Sequence, residues 1–178
     1  MKLKTLMLTI PVVLTLVFVV TASAMAFGNN KFKKEVEKER SAVQLAREVI
    51  KGNYGMITSE ELKKLIDSGQ DMVIVDTMPY EDSYKKAHVP GAEQFLFPIP
   101  ELATWDNKET GGKSKEDFTA LLGPDKNKTI VIYCGFVKCT RSHNGAMWAK
   151  KMGYANVLRY PGGIFAWKGS GYRVEAVK

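Results

Sequence analysis

The chain has two cysteines, and both lie in one segment, YCGFVKCTRSHNG, at residues 133–145. Cys134 ends the apolar run TIVIY at 129–133, and Cys139 follows it with Lys138 and Arg141 as neighbouring cations. A cysteine at the end of a buried strand, ahead of a glycine-led loop and a helix, sits where loop amides and the helix N-terminus converge. Amides, helix dipole and cations favour the thiolate there, and the thiolate is the nucleophilic form. Cys134 is therefore the expected nucleophile. Gly135, Phe136, Val137, Lys138 and Thr140 are the expected anion cradle, and Arg141 at its mouth offers a bidentate oxyanion ligand. Such a site suits attack on an atom carried by a small oxyanion, or the holding of a charged persulfide.

Nearby residues carry competing readings. Ser142 opens the next helix and supports the site. Asp76 ends the other long apolar run and is expected to border the same crevice, with a salt bridge to Arg141 as the alternative use of that guanidinium. His143 is either a general base near the thiols or a solvent-facing residue of a first helical turn. His88, before Val-Pro-Gly, is expected to fix a turn. A zinc site from Cys134, Cys139, His143 and the distant His88 lacks a recognised fourth ligand at near spacing, so no metal is expected, and no cofactor is expected.

The elements that must position these residues follow from pattern. Val36, Val43 and Ile50 recur at seven-residue spacing, which predicts an amphipathic helix over 33–51 ended by Gly52-Asn53. Gly55 to Ile57 reads as a short extended piece. Thr58 to Glu61 has the form of a capping box opening a helix that stops at Ser68-Gly69. MVIVD at 72–76 and TIVIY at 129–133 are unbroken apolar runs, the mark of strands covered on both faces in a parallel sheet. PYEDSYKKAH is a short polar helix or turn, Gln94 to Phe97 a further strand, and 98–114 a loop. SKEDFTALL is a capped helix, 142–152 a helix whose Gly145, Ala146 and Ala149 allow close approach to the sheet, and 156–160 a last strand. Gly162-Gly163 reads as a turn and Trp167 as core. Alternating strands and helices define an α/β domain with a mainly parallel sheet. Its ligands are expected outside the carboxyl ends of the strands.

Three stretches, in order, resemble the motifs of single rhodanese-like domains: MVIVDTMPYEDSYKKAHVPGAEQF, IVIYCGFVKCTRSHNGAMWAKKMGYANV and YPGGIFAWKGSGYRV. The resemblance covers 55–178. It implies a five-stranded parallel sheet flanked by helices on both faces. It also implies transfer of sulfane sulfur from thiosulfate, polysulfide or a persulfide to a thiophilic acceptor, through a persulfide on Cys134. Two departures stand out. Cys134 to Arg141 is Cys-x6-Arg, longer than the loops of most members, and Thr77-Met78 replaces an arginine common after the aspartate. Alternatives on the same scaffold are a phosphatase-like or arsenate-reductase-like cysteine enzyme, a thiol-disulfide enzyme, and a non-catalytic binding module.

Cys139 also has two readings. As a resolving thiol it attacks the Cys134 persulfide, releases sulfide and leaves a disulfide that a reductant reopens. Otherwise it is a disulfide partner formed by proximity in an oxidising compartment, or a partly buried free thiol.

Residues 1–26 read as an export signal: Lys2 and Lys4, an apolar stretch from Leu6 to Val20, and Ala24-Met25-Ala26 as cleavage site. An uncleaved membrane anchor is the alternative, and the expected location is periplasmic or extracytoplasmic. Residues 27–54 are then an N-terminal helix or linker, and 55–178 the domain. The formal charge of +7 falls to +5 once the two signal lysines leave. Much of it sits in KFKKEVEKER, where acids alternate with bases as on a solvated helix face, so no nucleic-acid partner is expected. The expected partners are a small anionic sulfur donor and a thiol reductant or sulfur-acceptor protein, with a membrane only if the signal stays uncleaved.

Overall fold

The computed structural model describes the backbone of residues 9–177 and the side chains of residues 30–177. The expected export signal at 1–26 therefore lies outside the residues described in full. Two compact units divide the chain, Met1–Val43 and Gln44–Lys178. Helix α1, Thr9–Gly52, contributes its last turns to the second unit. Among the described residues no helix is long and apolar enough to cross a membrane.

In the second unit five strands, β1 (Gly55–Met56), β2 (Met72–Asp76), β3 (Ala92–Gln94), β4 (Thr129–Tyr133) and β5 (Val157–Tyr160), form one sheet in the order β1-β5-β4-β2-β3. Every pairing is parallel. The two unbroken apolar runs are the adjacent strands β2 and β4, residue for residue as expected. Helices α2 (Ser59–Asp67), α3 (Lys115–Leu122), α4 (Arg141–Lys151) and α5 (Gly163–Gly169) cover the faces. On one face the end of α1, α3 and α4 pack around Phe95, Phe97, Phe118, Ile130 and Ile132. On the other α2 and α5 close over Ile74, Val131, Tyr133 and Trp167.

Local chemistry sets the boundaries. Gly52 is required at the end of α1, because a Cβ there would stand 2.2 Å from the Tyr54 ring. Asn53 follows in the left-handed region, φ 52°, and reverses the chain into β1. Thr58 and Glu61 form the expected capping box, with Thr58 N–H donating to Glu61 Oε2 at 2.8 Å. Ser114 and Asp117 do the same for α3. PYEDSY is a single π-helical turn, Tyr80–Tyr84.

Three expectations are corrected. The third strand is Ala92–Gln94 rather than Gln94–Phe97. Phe95 still donates to Asp76 O at 2.9 Å and Phe97 to Thr77 O at 3.4 Å, but β2 has ended there and the ladder stops. Helix α1 extends well before residue 33. The Gly-Gly segment is the start of helix α5, and only Gly163, φ 57°, takes the unusual backbone angle. Gly145 does bring α4 onto the sheet, since a Cβ there would meet Ile132 at 3.0 Å and Thr77 at 3.2 Å.

Candidate active site

Asp76 and Tyr133 are register partners at the carboxyl ends of β2 and β4, so Cys134 and Asp76 emerge at the same end of the sheet. From Cys134 the chain runs through Gly135, turns at Phe136–Cys139 with Cys139 N–H donating to Phe136 O at 2.9 Å, and enters α4 at Arg141. Helix α5 closes the base of this loop. Ile164 N–H donates to Cys134 O and Phe165 N–H to Gly135 O, each at 3.0 Å. A Cβ on Gly163 would lie 2.1 Å from Cys134 O, so only glycine permits that approach.

Cys134 is fully buried. Its thiol donates to Cys139 O at 3.1 Å and lies 3.2 Å from Ser142 Oγ. Both cysteines are free thiols. The cradle, however, is centred on the second sulfur. The Cys134 sulfur and the N–H groups of Gly135 and Arg141 lie beside the Cys139 thiol, with the Arg141 charge nearby. These neighbours pull Cys139 down to about 6, whereas burial pushes the Cys134 thiol well up. The expectation that the cradle lowers Cys134 is thus corrected. The pair holds one negative charge, and Cys139 carries it.

Other expected site residues divide. Phe136, Val137 and Lys138 project from the loop into solvent, and Phe136 rests on exposed Phe165 with ring centroids 5.4 Å apart. Thr140 is turned out of the cradle, its hydroxyl donating to Ile99 O. Arg141 donates from Nη1 to Phe97 O. The Asp76–Arg141 salt bridge is absent. Asp76 Oδ1 accepts from Met78 N–H at 2.9 Å, and its buried Oδ2 has no hydrogen-bond partner. Burial raises that carboxyl to about 6, against the Met78 amide. His143 is buried rather than solvent-facing, its Nδ1 2.8 Å from Tyr54 Oη. Burial lowers its pKa. His88 fixes the turn as expected, with Nδ1 2.8 Å from Tyr84 O.

The residue the sequence hid is Arg159 on β5, whose side chain is wholly buried. Its Nε donates to Ser142 Oγ at 2.9 Å and its Nη2 to Cys139 O at 3.0 Å. Nη1 pairs with Glu48 of α1 at 2.5 Å and reaches Tyr54 Oη at 3.2 Å. Burial alone would lower this guanidinium, but Tyr54 and Glu48 outweigh it and hold the charge. Arg159 therefore ties Ser142, which touches Cys134, and the Cys139 carbonyl to the last turns of α1. Asn144, also missed, is buried on α4 and pins the loop before α3. It donates to Pro98 O and Pro100 O at 2.8 Å each and accepts from Leu102 N–H at 2.9 Å.

A cysteine at the end of a central parallel strand, under a loop leading into a helix, agrees with the comparisons to known proteins. The rhodanese-like domain model matches residues 58–170, and the chain belongs to that family. Among solved structures it is similar to a thiosulfate sulfurtransferase from Pseudomonas aeruginosa, with 21% identity and a TM-score of 0.56 over 78% of this chain and 23% of that one. A polysulfide-sulfur transferase homodimer from Wolinella succinogenes matches with 14% identity and a TM-score of 0.51, over 75% and 85% of the chains. A Rhodopseudomonas palustris protein described as a possible tyrosine phosphatase matches with 24% identity and a TM-score of 0.50, over 74% and 93%. No curated protein matches the sequence. At these identities the structural likenesses establish the fold alone.

Proposed function

We propose that the protein is a sulfurtransferase that carries sulfane sulfur as a persulfide on Cys134. The observation that carries this reading is the position of Cys134 in a rhodanese-like domain, at the end of β4 with its thiol hydrogen-bonded into the loop that leads to α4. Attack on thiosulfate forms a bond from Cys134 Sγ to the outer sulfur and breaks the sulfur–sulfur bond, with sulfite leaving on the electron pair. The proton of Cys134, given to Cys139 O in the resting site, passes to the neighbouring Cys139 thiolate. A nucleophilic acceptor then takes the outer sulfur, and Cys134 leaves as thiolate. Because Cys134 is enclosed, the donor reaches it when the turn Phe136–Cys139 lifts. Lys138 on that turn and the amides of Gly135 and Arg141 supply positive potential for an anionic donor.

Thiosulfate and cyanide given to the purified chain should yield thiocyanate, and Cys134→Ser should abolish it. Absence of thiocyanate from the unaltered protein, with thiosulfate and with inorganic polysulfide, would sink the reading. Hydrolysis of a phosphate ester measured in parallel should be negligible, because Arg141 is engaged by Phe97 O and the Cys139 sulfur fills the cradle. We also infer that residues 1–26 direct export, with the mature chain acting in an oxidising compartment. The mass of the protein recovered outside the cytoplasm tests this, and an intact N-terminus there would favour the uncleaved anchor.

A further inference from the structure

We propose that the protein does more than pass sulfane sulfur on: it reduces it to sulfide, with Cys139 resolving the Cys134 persulfide inside the loop. This rests on the sulfurtransferase reading, since it needs the Cys134 persulfide as its starting point. What carries it is where the second sulfur lies. An anionic outer sulfur on Cys134 would seek the amides at the centre of the loop. That place is already held by the Cys139 sulfur, which lies beside Gly135 N–H and Arg141 N–H while the Cys134 thiol donates to Cys139 O. The persulfide and the second thiol are thus built into one enclosed site. Cys134 has no exposed surface and Cys139 retains only 8%. Fastening at both ends keeps them together: Arg159 Nη2 and the Cys134 thiol both donate to Cys139 O, at 3.0 and 3.1 Å. On the other side Ser142 Oγ contacts Cys134 Sγ at 3.2 Å.

The chemistry balances. After donor attack Cys134 bears a persulfide anion and Cys139 a thiol, which took the proton of Cys134. Cys139 Sγ attacks Cys134 Sγ, a bond forms between them, and the bond from Cys134 Sγ to the outer sulfur breaks. The outer sulfur leaves as hydrosulfide with the electron pair of that bond and the proton of Cys139. Cys134 and Cys139 are then a disulfide, and the sulfane sulfur has gained two electrons. A dithiol reductant, small or protein-borne, reopens the bridge by exchange, giving up two electrons and two protons and becoming a disulfide itself. With thiosulfate as donor the sum is thiosulfate plus dithiol yielding sulfite, sulfide and the oxidised reductant.

The test is a single turnover without reductant. The full chain is reduced, freed of reductant under anaerobic conditions and mixed with thiosulfate, or with inorganic polysulfide in a parallel arm. Sulfide and sulfite are measured, and the chain is weighed without reduction. Under thiosulfate the unaltered protein should release sulfite and sulfide in equal amounts, up to one of each per chain. It should end lighter by two hydrogens, with Cys134 and Cys139 in one linked peptide. Cys139→Ser, which lacks that proton acceptor, should release sulfite more slowly but no sulfide, and keep a stable gain of one sulfur on Cys134. Cys134→Ser should do neither. Unaltered protein that holds the extra sulfur and forms no bridge overturns the inference while leaving sulfur transfer standing. So does a bridge formed without an equivalent of sulfide, which is simple oxidation. Sulfur found on Cys139 in Cys134→Ser reverses the order of the two thiols and also overturns it. If neither the unaltered chain nor Cys139→Ser takes up sulfur or releases sulfite with either donor, the sulfurtransferase reading itself has failed.

Discussion

The charge distribution between two sulfurs decides how this site behaves. Because the Cys139 sulfur lies beside the Cys134 sulfur and two amides, its thiolate forms near pH 6, while buried Cys134 keeps its proton. The ultraviolet absorbance of thiolate should rise in the native chain with a midpoint near that value. Cys139→Ser should move the midpoint above the range of an ordinary cysteine, because the remaining thiol is the buried one. An unshifted midpoint would show that Cys134 carries the charge. Asp76 makes a second, opposite use of burial. Its carboxyl is raised from 3.8 to about 6, so the folded state holds this proton more tightly than the unfolded chain does. The favourable contribution is complete below about pH 4 and is lost as the pH rises through 6. At about 1.4 kcal/mol per unit, the stability of the native chain relative to Asp76→Asn should fall by on the order of 2–3 kcal/mol between pH 4 and 7. Denaturant unfolding at the two pH values measures this, and a constant difference would show that Asp76 is not held protonated.

At the level of elements, the site hangs on β5 as much as on β4. Arg159 joins α1, β5, the loop and α4 through Glu48, Tyr54, Cys139 O and Ser142. Removing the guanidinium strands the partly buried Glu48 and frees the loop carbonyl. Breaking a buried pair of this kind costs about 3–5 kcal/mol. Arg159→Met should therefore lower unfolding free energy by that order. Arg159→Lys, which keeps the charge without the fork, should retain more stability yet still raise the thiolate midpoint, a readout that a purely structural role would leave in place. This arrangement could not be read from the sequence, because Glu48 and Arg159 are 111 positions apart and Arg159 stands in a four-residue strand. The strands β2 and β4 could be read residue for residue, since unbroken runs of Val and Ile admit one environment. So could the caps at Thr58 and Ser114, whose hydrogen bonds are local. Helix α5 was hidden by its two leading glycines, which suit a turn equally well. The place of Cys134 was readable because strand, glycine and helix signals adjoin it. The seat of the charge was not, because it depends on which sulfur the loop turns toward the amides.

Across the whole molecule, the unit that holds the site begins within α1. Gln44–Lys178 forms one compact unit, and its first residues supply Glu48 to Arg159, Val49 to the apolar face of the sheet, and Tyr54 to both His143 and Arg159. The family match begins only at residue 58, so a chain cut to the family domain would leave a buried cation without its carboxylate and a buried histidine without its hydroxyl. Cutting elsewhere should have a different result, because residues 1–43 form a unit of their own. A chain starting at Gln44 should fold cooperatively and turn over thiosulfate at a rate close to that of the full-length protein. A chain starting at Gly55 should lose about 3–5 kcal/mol of stability or more and most of its sulfur transfer. Denaturant unfolding and thiocyanate formation by the two truncated chains measure the difference. Equal stability and equal rates would show that the end of α1 is only a spacer, and that the Glu48–Arg159 pair does not support the loop.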